Sequence, residues 1–219
     1  MAIYLKKFEN HTQYDNYING SSAILPNVSI CTTEGDVHYN PSTPPTPSYE
    51  TVDLGLPSGT LWSTMNVGAS SITDYGNYYQ YGKGAATYQE TSGGTWYEGE
   101  EVPLAASADT ATQVWGSPWH MPTSTQCQEL IDNTTYEWTT INGVNGGKFT
   151  ATNGNYVFFP ACGSYSYDGE GDVGYSGSYY SSTSMDSITA DALYFTEYSI
   201  GIYDYERGRG YSVRPVMDA

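Results

Sequence analysis

The sequence predicts an α+β fold: a main domain of short strands with one clear helix, preceded by a small β-α-β-β module and a proline-rich linker. Three observations carry that prediction. The pairs Asn142-Gly143, Asn145-Gly146 and Asn153-Gly154 are hairpin-type turn signals, and they bracket short strand-like runs at residues 136–140, 148–151 and 156–160. Thr123 followed by Gln126 makes a capping box ahead of an apolar stripe of Cys127, Leu130 and Ile131, which opens a helix. Four prolines within residues 41–47 separate the tyrosine-rich body from a shorter leader.

Taken in order, residues 1–40 form the leader. Residues 2–8 alternate, with Ile3, Leu5 and Lys7 on one face, and the strand stops at Asn10. A short helix follows, capped by Asn10 with Gln13 at the capping-box position. Tyr14, Tyr17 and Ile18 share its face and Gly20 ends it. Two further strands, near residues 27–32 and 36–39, join through Glu34-Gly35. A unit of about 40 residues has little core of its own, so it is expected to dock on a partner or to trimerise. Residues 41–49 are the linker, whose prolines favour extended polyproline II and a spacer of about 20 Å.

The main domain covers residues 50–219. Two strands are expected around Pro57-Ser-Gly59, then Met65-Asn-Val-Gly68 and an aromatic stretch from Asp74 to Gly82. Residues 83–114 show little periodicity and read as a long surface excursion. The Thr123 helix and the Asn-Gly hairpins follow. The stretch from Gly163 to Arg209 is rich in Tyr, Ser, Gly and Asp without periodicity, and reads as displayed loops. Leu193-Tyr-Phe195 and Tyr211 to Val216 supply closing strands. Tyr75, Tyr78, Tyr79, Tyr81, Trp62, Trp115, Trp119 and Trp138 are expected to fill the core, because large aromatics alternating with glycine pack an interior.

The charge excludes several functions. The formal net charge is −17, from 24 acids and 7 bases. Nucleic-acid binding requires a basic stripe, and an anionic membrane surface would repel such a chain. No apolar run reaches membrane-spanning length and no secretory h-region opens the chain, so the expected product is made in a host cytoplasm without membrane insertion. Cys31, Cys127 and Cys162 lie far apart with no CxxC and read as small buried hydrophobes, with a Cys127–Cys162 disulfide as the lesser alternative. His11, His38 and His120 stand in unrelated contexts, and no GxSxG elbow, phosphate loop or dinucleotide fingerprint is present. No catalytic residue and no cofactor are expected. Asp168-Gly-Glu-Gly-Asp172 places Asp168, Glu170 and Asp172 at alternate positions, a weak calcium candidate: position six is Val173 and no acid stands at position twelve.

A series of phrases appears in one order: Val52-Asp-Leu-Gly-Leu-Pro-Ser-Gly-Thr-Leu-Trp62, Asn66-Val-Gly68, Asp74-Tyr-Gly76, Trp115-Gly with Met121-Pro-Thr123, Glu129-Leu130, Phe159-Pro-Ala161, Tyr180-Ser-Ser-Thr183 and Ser212-Val-Arg-Pro-Val216. Together they resemble the Fibrobacter-type major paralogous domain, over about residues 50–217. That resemblance implies a C-type-lectin-like fold of the formylglycine-generating-enzyme type. It also links the chain to the variable proteins of diversity-generating retroelements, whose last residues hold hypervariable positions on a fixed scaffold. The leader (Lys6-Lys-Phe-Glu, Leu25-Pro-Asn-Val-Ser29, Val37-His-Tyr-Asn-Pro41) resembles virion modules of Bacteroides phages. Adenine-directed mutagenesis of AAC or AAT codons reaches Tyr, Ser, Asp, Ile, Gly and Ala, but not Met185, Glu197 or Glu206. The copper-dependent oxidation of that enzyme group is not expected here, since no local cysteine pair marks a soft-metal site.

The resemblance and the composition converge on one expectation. Tyrosine offers large, stiff contact area while Ser and Gly offer adaptable hydrogen bonds, the mixture found in antibody paratopes. The candidate ligand-binding residues are Tyr165, Tyr167, Asp168, Tyr175, Tyr179, Asp186, Ile188, Asp191, Tyr194, Tyr198, Ser199, Tyr203, Asp204, Tyr205, Arg207 and Arg209. The expected protein is a phage tail or fibre-tip component that presents these residues to a bacterial cell-surface receptor, protein or glycan. Its leader would join other virion tail proteins, and relatives imply a homotrimer. A bacterial surface adhesin or a structural virion decoration protein is the alternative on the same fold.

Overall fold

The structure is a computed structural model that describes residues 49–84, 103–166 and 168–219, together with the backbone of 28–30 and 37–39. The chain divides into two units, Met1–Ser48 and Tyr49–Ala219. In the first unit β1 (Val28–Ile30) pairs antiparallel with β2 (Val37–Tyr39), Ser29 lying opposite His38. The strand expected over residues 2–8, the helix after Asn10 and the proline linker fall outside the described residues.

The second unit is mainly sheet with few helices. β3 (Thr51–Asp53) and β4 (Leu61–Ser63) flank the expected turn, where Gly59 takes φ 76° and donates its N–H to Leu56 O at 2.9 Å. β13 (Val216–Met217), from the other end of the domain, pairs with β4. The Thr123 helix, α2 (Ser124–Asn133), has both halves of its capping box in place, with Cys127 and Leu130 buried. β5 (Thr134–Ile141), β6 (Val144–Ala151) and β7 (Tyr156–Pro160) form the expected meander. Asn142 and Gly143 turn with φ 50° and 82°, the left-handed pair that a two-residue hairpin needs.

Three expectations are corrected. Asn145-Gly146 is not a turn but lies inside β6, paired with Thr140 and Thr139. Gly146 is there because a Cβ would stand 2.3 Å from Phe159 O, so only glycine lets β7 approach. The supposed excursion over residues 83–114 contains a helix, α1 (Thr110–Trp115), capped by Asp109, whose carboxylate accepts from Thr112 N at 2.8 Å. Residues 163–209 are not irregular loops. They hold the hairpin of β8 (Ser164–Ser166) with β9 (Gly169–Gly171), and a sheet of β10 (Ser176–Ser184), β11 (Thr189–Thr196) and β12 (Ile200–Glu206) in that order. β10 shows no polar-apolar alternation because it is buried on both faces: Tyr179 belongs to one core cluster and Tyr180 to another.

The first cluster gathers Trp62, Leu130, Phe149, Phe159, Tyr179 and Phe195; the second gathers Tyr79, Tyr81, Trp115, Trp119, Tyr180 and Tyr211. Of the aromatics expected inside, Tyr75 and Trp138 are only half-buried. Arg214 is fully buried against the first cluster, its guanidinium 4.5 Å from the Phe159 ring. Its nitrogens donate to Asn66 Oδ1 (2.8 Å), Ser63 O (3.1 Å) and Phe158 O (2.9 Å), all neutral acceptors. Asn66 in turn donates to Tyr75 O and to Tyr179 Oη. Burial without an anion pulls the Arg214 pKa down to about 10.

Candidate functional site: a tyrosine face on the last sheet

The sheet of β10, β11 and β12 sets the geometry of the site. In register, Ser178, Tyr194 and Gly201 lie side by side, then Tyr180, Ala192 and Tyr203, then Ala190 and Tyr205. Residues two apart on a strand share a face, so Tyr194, Tyr203 and Tyr205 rise from the same side. Their ring centroids are 6.0 to 6.5 Å apart. Tyr205 stands edge-on to Tyr211 at 5.5 Å, and Tyr211 meets the buried Tyr180 at 4.7 Å. A continuous run of rings thus climbs from the core to the surface, where Tyr203 is 47% exposed. Such contacts hold each ring in place before any ligand arrives.

Two further features shape this face. Gly201 lets the ring lie across bare backbone: a Cβ there would sit 2.9 Å from Tyr203 Cε2 and would displace the ring. The turn after β12 is anchored from beneath by Tyr180, whose hydroxyl donates to Glu206 O (2.8 Å) and to Arg209 O (3.1 Å). Burial raises the hydroxyl pKa of Tyr205, and its tyrosine neighbours raise it further, so the Tyr205 hydroxyl stays neutral at physiological pH.

The expected site residues separate into groups. Tyr198 is 89% exposed on the β11–β12 hairpin, where Thr196 Oγ1 accepts from the N–H groups of Tyr198 and Ser199. Tyr175, also exposed, precedes Ser176, which pairs with Thr196, and so lies at the same end of the sheet. Asp186 and Ile188 are exposed at the opposite end, roughly 25 Å away along the eight residues of β11. There the Asp186 carboxylate accepts from Ile188 N and Thr189 N, bonds that hold its pKa down. Asp204 and Arg209 are exposed, and Arg209 Nε approaches Glu206 at 3.6 Å. Tyr165 is half-buried against Tyr78, away from the tyrosine face, and bonds to Gly210 through both backbone groups. Asp191 is half-buried on the reverse face, directly opposite Asp204. Tyr167 lies outside the described residues.

Two candidates are corrected. Tyr179 is core: it is 2% exposed, wedged against Phe159 and Phe195, and its hydroxyl donates to Pro160 O at 2.7 Å. Arg207 is also buried, its guanidinium 4.8 Å over the Tyr81 ring, with Nε donating to Thr189 O and a terminal nitrogen to Asp186 O. It staples the β10–β11 connection to β12 instead of meeting solvent.

Asp168, Glu170 and Asp172 are spread along the β8–β9 hairpin as exposed residues, and no group of three or more metal-ligating side chains forms among the described residues. Cys127 and Cys162 are separate buried thiols, each pushed up in pKa by burial. A cleft of about 460 Å³ borders Asp109, His120, Met121 and Asp218. The Asp109 carboxylate there is raised in pKa by burial, yet it is occupied by the Thr112 and Met121 N–H groups, and so is committed to structure.

The sequence reading missed Gly201 and the supporting Tyr211. The signal was present as Gly-x-Tyr within a run of alternating residues, where a glycine in a strand marks close approach to its backbone. No family model, curated protein or solved structure matches the chain.

Proposed function

We propose that the second unit is a C-type-lectin-like receptor-binding domain of a phage tail or fibre tip, and that Tyr194, Tyr203 and Tyr205, with Tyr198 at the hairpin, form its contact surface for a bacterial cell-surface receptor. The carrying observation is the run of tilted and edge-on ring contacts from Tyr180 through Tyr211 and Tyr205 to the exposed Tyr203. Rigid aromatic area costs little entropy on binding, which is why such clusters act as hot spots. The phrases behind the family resemblance support the same reading, since Trp62, Asn66, Met121, Phe159, Tyr180 and Arg214 are all buried framework. Variation of the outward positions would leave that framework untouched. Weak single sites gain strength from multiple copies on one particle.

The test uses the labelled full chain and a panel of gut Bacteroidetes strains. The parent is expected to bind at least one strain. Tyr198→Ser with Tyr203→Ser should lower binding by about tenfold or more, the loss of one to two hot-spot rings. Both residues are exposed, so the variant keeps its fold. Undiminished binding by the double variant would overturn the assignment.

A further inference from the structure

The sheet that carries the tyrosine face is paired along one border and, among the described residues, unpaired along the other. On the β10 side the border is paired with neighbouring segments. Gly163 N and Ser212 N donate to Ser176 O and Ser178 O, Tyr180 N donates to Ser212 O, and Ser182 pairs with Leu104 and Pro122. On the β12 side the ladder alternation is fixed by the hairpin, where Thr196 N donates to Ser199 O. Gly201, Tyr203 and Tyr205 therefore turn their backbone groups toward β11. Ile200, Ile202 and Asp204 turn theirs outward, and those groups have no hydrogen-bond partner among the described residues. The strand carries no proline, lysine or bulge, the devices that normally blunt an exposed edge.

We infer that this edge is a strand-addition site, and that the ligand is an extended polypeptide segment with basic side chains at alternate positions. The inference rests on the reading of this face as the contact surface and assigns the ligand class, a polypeptide rather than a sugar. Strand addition takes affinity from backbone hydrogen bonds and specificity from alternate side chains. Here one side of the added strand meets the ring of Tyr203 and the other meets Asp204 and Glu206, both exposed. β12 contains two acids and no base. Charge also argues against a second copy as the occupant, because two chains of net charge −17 repel.

The probe is the acetylated, amidated heptapeptide Lys-Val-Lys-Val-Lys-Val-Lys, added to the full chain and followed by amide hydrogen exchange. Saturating peptide should slow exchange at Ile200, Ile202 and Asp204 by about tenfold or more, leaving the amides on the open edge of β5 unchanged. The same peptide N-methylated at alternate residues keeps its charge but loses one row of donors, and should bind at least about tenfold more weakly. Asp204→Pro removes an outward N–H together with the carboxylate, whereas Asp204→Asn removes the charge alone, so the difference between the two isolates the N–H. The first should abolish protection and the second should weaken binding while keeping the protected set. Equal binding of the methylated peptide, equal protection on β5, or no protection at Ile202 would overturn the inference, and the methylated peptide decides even if Asp204→Pro fails to fold. Loss of cell binding by the tyrosine variant without edge protection would sink strand addition alone. Edge protection with unchanged cell binding would sink the receptor reading alone.

Discussion

At the scale of single residues, the two buried arginines divide the roles of the seven bases. Arg214 ties Ser63, Asn66 and Phe158 together with no carboxylate to balance it. Arg214→Met should cost about 3–5 kcal/mol, because several buried acceptors lose charged donors at once, and urea unfolding will measure it. Asp191 and Asp204 pose the opposite problem, two acids directly across a ladder. Burial raises the Asp191 pKa, Asp204 raises it further, and a Ser124 hydrogen bond pulls it back. The folded chain therefore holds this proton to higher pH than the unfolded chain, and the stability so gained is lost as pH rises through the raised pKa. Asp204→Asn should raise the melting temperature by about 1–4 °C at pH 7, from relief of a cross-strand repulsion. The difference should fade as pH falls through the raised Asp191 pKa, where protonation removes the repulsion.

At the scale of elements, legibility followed the range of the forces involved. The α2 capping box and the Asn142-Gly143 hairpin are local chemistry, and both were readable. β10 was not, because Ser176, Gly177, Ser178, Ser181 and Ser182 are small for the sake of two cores lying on either side. α1 was missed because six residues leave almost no periodicity to read, although Asp109 stood at its cap. Gly177 makes the long-range cause testable. A Cβ there would lie 2.2 Å from Phe195 Cζ, at the centre of the first cluster. Gly177→Ala should destabilise the chain by about 1–3 kcal/mol or more through overpacking, read as an earlier urea midpoint.

At the scale of the whole molecule, the candidate site was half legible. Composition pointed to the fifty residues that hold the last sheet, and Tyr194, Tyr198, Tyr203 and Tyr205 lie at or near the surface of that sheet. Nothing in composition tells Tyr203 from Tyr179, since the difference is that Tyr179 lies on β10, buried on both faces, and Tyr203 on the border strand β12. Charge acts at this scale too. With Arg207 and Arg214 buried, little positive charge reaches the surface to offset 24 acids. Raising NaCl from about 10 mM to about 0.3 M should therefore increase the melting temperature by screening self-repulsion, and a scanning fluorimeter would detect it. β12 leans on its neighbours from one side only, as the last plank of the floor. A lineage can rewrite the exposed grain of that plank, at Tyr203, Asp204 and Glu206, without lifting the boards on which Ile200, Ile202 and Tyr205 rest.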